Sequence, residues 1–253
     1  MSLRHTATTS ASSTPRAAPS SRAAGTRTGD NEEEDDEEPV IAGPFVLHHG
    51  SFILEFLRPK PSRHASVLMR ATYKHDHPLC RKGKAYPQAP PLHLHFQQSE
   101  SLAVLSGELG TTTTYSRIDT IHTPQTTPPA RPHHIAPYMP HQIWPSPSAK
   151  EDTTMLIWAH PNPKDMDDKM DRLFFQTLLL YRRHISATAL VVLPGLTFLG
   201  PLRWWIPWLF QCLCAYLALW LGRKPLLKKY MSAEDWEDED VQERIGMWRK
   251  KDL

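Results

Sequence analysis

The sequence predicts a mainly β protein in which short strands close on one another as a sandwich or barrel. From Pro44 to about His160, alternating or wholly apolar stretches are punctuated by Pro, Gly and polar clusters, the pattern of strands and turns. No helical periodicity separates these stretches, which disfavours a parallel α/β sheet. An amphipathic helix and a long apolar run follow only after this region ends. At 253 residues the chain has room for one or two domains, but much of its length is unsuited to a core.

Residues 1–43 are expected to be a disordered tail. Positions 1–38 hold no Leu, Ile or Val beyond Leu3 and no aromatic residue, and Asn31 to Glu38 adds seven carboxylates. Such a segment buries too little apolar surface to offset the entropy of ordering it. Residues 2–29 lack acids and carry Arg4, Arg16, Arg22 and Arg27, as transit peptides do, but Pro15 and Pro19 interrupt any amphipathic helix. The plain tail is the better reading. No apolar run follows the first basic residues, so a secretory signal is not expected.

Residues 44–160 hold the candidate strands: Phe45–His48, Phe52–Leu57, Ala65–Tyr73, Leu92–Phe96, Leu102–Leu105, Leu109–Tyr115, His133–Ala136, Gln142–Trp144 and Thr153–Ala159. Gly50, Gly107 and the prolines between 124 and 132 mark turns. A formal net charge of +2 gives no field that would gather nucleic acid, and none is expected as a partner. Three cysteines make no disulfide framework: Cys80 stands in a polar loop, and Cys212 and Cys214 lie in an apolar run. The barrel therefore faces a reducing compartment.

The chemistry concentrates in Pro91 to Gly107. On a strand, residues two apart share a face, so His93 and His95 project together, opposite Leu92, Leu94 and Phe96. Glu100 opens the next strand on a face with Leu102 and Val104, and Gln97–Ser99 supplies the bend between. If that face is the interior, a carboxylate meets two imidazoles. Buried together they are costly without a partner, and a divalent cation satisfies all three. Nitrogen and carboxylate oxygen donors suit Fe, Mn, Ni, Cu or Zn. An isolated His-x-His pair is most often surface or core histidine; the glutamate five residues on and the apolar strand ending at Gly107 distinguish this one.

His93, His95, Glu100 and Gly107 have the spacing of the first motif of the cupin superfamily, His-x-His-x4-Glu-x6-Gly, and the region resembles that family. The family's earlier glycine is Pro87 here, a change in a turn and not in a ligand. A weaker match runs from Ile135 to Pro145, where His141 follows Pro137 and Pro140 and leads into Ile143-Trp144. Tyr138 and Pro145 stand where the family carries glycine and asparagine. The resemblance implies a double-stranded β-helix barrel holding one metal ion on His93, His95, Glu100 and His141. It implies an enzyme in which Glu100 also serves as a base and Tyr138 is catalytic, with Phe96 and Trp144 on the pocket wall or in the core. His133 and His134, on the same late segment, are reserves for the fourth ligand; the remaining histidines, His122 among them, read as loop or surface.

Residues 161–186 are expected to form an amphipathic helix capped by Asn162 and Pro163. Met166, Met170, Leu173, Phe174, Thr177, Leu178 and Tyr181 would make its apolar face against the barrel. Across 187–222 Arg203 is the only charge, and Trp204–Gly222 alone is 19 residues, close to one bilayer crossing. Base on both flanks favours a transmembrane hairpin, with the barrel on the cytosolic side; a soluble cytoplasmic protein with these residues packed on the barrel is the alternative. Residues 223–253 read as a charged tail. Barrel and apolar end together resemble the cupin oxidoreductases of fungal secondary metabolism, which implies a metal-dependent oxidoreductase acting on a small, hydrophobic intermediate. The alternatives are a cupin isomerase, cyclase or decarboxylase using the metal as a Lewis acid, and a ligand-binding cupin without turnover.

Overall fold

The computed structural model describes residues 38–90, 92–95, 98–160, 167–182 and 226–250, together with Leu209, Leu213, Leu217 and Trp220. Among them are nine strands: β1 Val40–Leu47, β2 Phe52–Leu57, β3 Val67–Tyr73, β4 Ser99–Ser106, β5 Leu109–Thr113, β6 Ile118–His122, β7 His133–Ile135, β8 His141–Pro145 and β9 Thr153–His160. They form two antiparallel sheets, one ordered β1-β2-β3-β9-β4-β7 and the other β6-β5-β8. The mainly β expectation is met.

Register explains the core. Leu54, Ala71, Met155 and Val104 lie in one row across β2, β3, β9 and β4, each at most 1% exposed. The next row is Phe56, Met69, Ile157, Leu102 and His133, and beyond it lies Val67, Ala159, Glu100 and Ile135. Leu109 and Ile143 of the smaller sheet join the same cluster. Each aliphatic side chain so buried contributes about 1.5–3 kcal/mol relative to exposure. A separate cluster of Leu68, Ala103, Leu156 and Trp158 covers the other face of the larger sheet, which is why β3 and β9 read as apolar runs rather than alternations.

Two glycines let the sheets come together. Gly107 turns β4 into β5 at φ +72°, and a Cβ there would lie 2.6 Å from Thr153 Oγ1 and 2.8 Å from the Asp152 carbonyl. At Gly110 a Cβ would lie 2.3 Å from the indole of Trp144, which crosses that strand. Trp144 pairs opposite Gly110, on the strand face away from His141 and Ile143, yet it is buried and belongs to the same core cluster. Its Nε1 donates to Thr112 Oγ1 at 3.1 Å, and Lys84 caps its ring.

Several expectations are corrected. The barrel begins at Val40 rather than 44, and Glu38, counted with the tail, is buried and ion-paired with Arg63. The 92–96 stretch makes no strand among the described residues, only a single bridge between His93 and His141. Strand β6 was not expected: its hairpin turn has φ +68° at Thr114 and φ +59° at Arg117, without the glycine or asparagine that usually signals such backbone. Cys80 is buried, donating to the Ser51 carbonyl, and burial pushes its thiol up to about 11.

Helix α1 runs Asp168–Arg182; positions 161–166 and 183–186 lie outside the described residues. Its buried face is Met170, Leu173, Thr177 and Leu180, whereas Phe174 and Leu178 are exposed, so the face is rotated from the expected one. Residues 226–250 are not a loose tail. Helices α2 (Ala233–Glu237) and α3 (Glu239–Lys250) follow Leu226, and Leu226, Val241 and Ile245 pack against Met170 and Leu173 of α1. Arg172–Asp235, Lys169–Asp238 and Arg244–Asp167 ion pairs rim that contact. The expected hairpin over 187–222 lies outside the described residues but for Leu209, Leu213, Leu217 and Trp220, which are helical and exposed. Among the described residues no helix is long and apolar enough to cross a membrane, so the hairpin gains no support.

Candidate metal centre

Glu100 sits in the last inward row of the larger sheet, flanked by Ala159 and Ile135. A carboxylate in such a row needs a partner, and the segment carrying His93 and His95 supplies it. Prolines at 90 and 91 precede that segment and lack the N–H that a ladder requires, so it is held at few points. His93 exchanges backbone hydrogen bonds with His141 at 3.0 and 2.7 Å, and the Tyr138 N–H donates to the His95 carbonyl at 2.7 Å.

The donor atoms of His93, His95 and His141 all lie within 4.8 Å of one another. Glu100 Oε1 is 3.1 Å from His95 Nε2, and Oε2 is 3.3 Å from His141 Nε2. Both Nε2 atoms are buried and neither has a hydrogen-bond partner, so these contacts are close approaches without hydrogen-bond alignment. Two donors about 2.1 Å from one ion, at right angles, stand about 3.0 Å apart, which the Glu100 distances match. His141 is 1% exposed, and its Nδ1–H donates to the Met139 carbonyl at 2.9 Å, leaving the Nε2 lone pair facing the group. Burial by itself would push the Glu100 carboxyl up; the imidazoles of His141 and His95 outweigh it and hold the group well below the usual carboxylate range. The arrangement offers a divalent ion three imidazoles and, against two of them, one carboxylate.

Three of the four expected ligands, His93, His95 and His141, are brought together, and the Glu100 carboxylate lies against two of them, His95 and His141. Tyr138 is not buried with them: its side chain is 53% exposed, and its backbone stands at φ +63°. Phe96 lies outside the described residues. His134 faces away from the group, paired opposite Ser101. His122 and His133 are the histidines that the sequence reading misplaced. His122 is 4% exposed, with Nε2 and Nδ1 each 2.8 Å from the hydroxyls of Thr111 and Thr127. His133 pairs opposite Leu102 and so points inward, yet it stands outside the ligand group. A second acidic group, His75, Asp76 and Asp152, is largely exposed, and Lys74 and His75 already pair with Asp152.

No family model matches the chain. The Hypocrea virens protein named "Probable oxidoreductase virH" is 26% identical over 193 residues, 70% of this chain and 81% of that protein. The oxidoreductase iacF of Pestalotiopsis fici is 33% identical over 113 residues, 45% of this chain and 50% of that protein. Among solved structures, the Cnp3 cupin domain of Schizosaccharomyces pombe has a TM-score of 0.33 at 9% identity, covering 47% of this chain and 70% of that one. In this chain, His93 and His95 come from the segment before β4, and Glu100 from the first inward position of β4. The fourth comes from the start of β8, across the barrel in the smaller sheet.

Proposed function

We propose that this chain is a cupin and a metal-dependent oxidoreductase in which His93, His95, Glu100 and His141 hold one divalent transition-metal ion, and that its substrate is a small, largely apolar molecule. The observation that carries the reading is three imidazole donors within 4.8 Å of one another beside a buried carboxylate, two of them unpartnered. Relatives named as oxidoreductases supply the reaction class. When bound, the ion would supply redox or Lewis-acid chemistry at its open positions.

The remaining work falls to side chains of this chain. Met139 fixes the His141 tautomer through its carbonyl. Glu100, held ionised, brings negative charge and can take a substrate proton as a general base. The apolar row around it keeps water out of that exchange. The Tyr138 phenol, half in solvent, is the proposed hydrogen-bonding group at the rim.

Elemental analysis of the purified full-length protein, with an oxygen-uptake assay, tests the reading. Near-stoichiometric Fe, Mn, Ni or Cu supports it. Zinc alone redirects it to a non-redox isomerase, cyclase or decarboxylase. Metal occupancy undiminished in Glu100→Ala and His141→Ala sinks the ligand set. Membrane attachment through residues 187–222 belongs to the same proposal, supported by the presence of one charge, Arg203, in that stretch. Alkaline carbonate extraction decides it: the attached chain stays in the pellet, and a released chain refutes attachment.

A further inference from the structure

His133 is an inward-facing imidazole with an unmet nitrogen. It lies opposite Leu102, one inward position beyond Glu100 and Ile135, about 7 Å farther along the ladder. Its Nε2 is buried and has no hydrogen-bond partner among the described residues. The nearest imidazole cannot supply one. His122 stacks 4.7 Å away between centroids, but both of its nitrogens are taken by Thr111 and Thr127. Nor is His133 a fourth imidazole of the ligand group. A buried polar nitrogen left unpaired destabilises a fold by about 1–3 kcal/mol, and a site that keeps one beside a reactive centre has a use for it. Burial, then the neighbouring His134 and His141, hold this imidazole below its ordinary range and therefore neutral, able to donate or accept.

We infer that His133 is a substrate-binding residue of this centre, and that its Nε2 makes the hydrogen bond that orients an oxygen-bearing, otherwise apolar substrate beside the ion. The inference rests on the metal-centre reading above. The substrate class follows from the row itself: His133 is its one polar member, beside Leu102, Ile157, Met69 and Phe56. A hydroxyl or carbonyl oxygen on an apolar body satisfies both kinds of neighbour.

Catechol, which carries two hydroxyls on an apolar ring, is the probe. The full-length protein is loaded with ferric iron and titrated with catechol, following the charge-transfer absorbance, alongside His133→Leu and His133→Gln. His133→Leu should keep its iron and melt no lower than the native protein, while its catechol Kd rises about tenfold, the worth of one hydrogen bond. His133→Gln, which restores a polar group at similar reach, should recover part of that loss. An unchanged Kd in His133→Leu with full iron overturns the inference and leaves the metal centre intact. Loss of iron in His133→Leu also overturns it, by making His133 a ligand. A native protein that takes up no iron fails earlier, at the metal-centre reading. Should His133→Leu not fold, His133→Phe, which keeps a ring against His122, is read in the same way.

Discussion

Neighbouring residues of β4 meet two different histidine clusters. On the inner face Glu100 lies between His95 and His141, at 3.1 and 3.3 Å, and both nitrogens lack a hydrogen-bond partner. On the outer face the Ser101 hydroxyl lies 3.2 Å from His134 Nδ1 and 2.9 Å from His160 Nε2, and His160 Nδ1 reaches the His64 carbonyl at 3.1 Å. The outer cluster closes on itself: His134 donates to Ser101, Ser101 donates to His160, and His160 donates to His64, with every proton placed. In the inner cluster the Nε2 atoms of His95 and His141 are buried against Glu100 and make no hydrogen bond. Three imidazoles meet at the inner site and two at the outer; unmet nitrogens are what mark the inner group as the candidate ligand set.

The largest effect should come from the inner cluster. Glu100→Ala or His141→Ala should lower metal affinity by more than about tenfold, whereas Ser101→Ala should leave it unchanged. Metal analysis after equilibrium dialysis checks both, and equal losses on the two faces would break the comparison.

Acid should come next. Burial, reinforced by the nearby His133, lowers the His122 imidazole from 6.5 to about 4 in the folded protein. The unfolded chain therefore binds this proton first, so stability is lost as pH falls from about 6.5 to about 4 and is unaffected above that window. Urea midpoints across this range should decline on acidification, and His122→Gln should flatten the slope. An equally steep slope in His122→Gln would assign the acid sensitivity to other groups.

On the outer face, Ser101→Ala should cost about 1 kcal/mol of stability, the net worth of its hydrogen bonds, measured by denaturant unfolding. A loss of several kcal/mol would mean that the outer network carries more than its satisfied hydrogen bonds should. The smallest effect is expected at the rim. Tyr138→Phe keeps the backbone N–H that pins His95, so metal content should hold and turnover should fall by a factor of a few. Loss of metal in that variant would place the phenol in the centre itself.

The candidate ligands were legible because His93, His95 and Glu100 stand within eight positions at a motif spacing, although the strand expected to give His93 and His95 a common face is absent among the described residues. His133 was not legible in the same way. Its inward direction depends on which residue of β4 it faces, and a register shift of one would have exchanged it with His134. The apolar strands β2, β3 and β9 declared themselves, whereas β6 hid behind a turn built on Thr114 and Arg117. Charge misled at the C-terminal end. Asp235, Asp238 and Arg244 read as solvated tail, but their partners Arg172, Lys169 and Asp167 lie more than sixty positions earlier, beyond any local pattern.

That last contact has a topological consequence. The chain leaves the described body at the end of α1 and re-enters it at Leu226, which rests on Met170 and Leu173 of the same helix. Arg182 and Leu226 thus belong to one packed body, and whatever path joins them must set out from and return to the same helix.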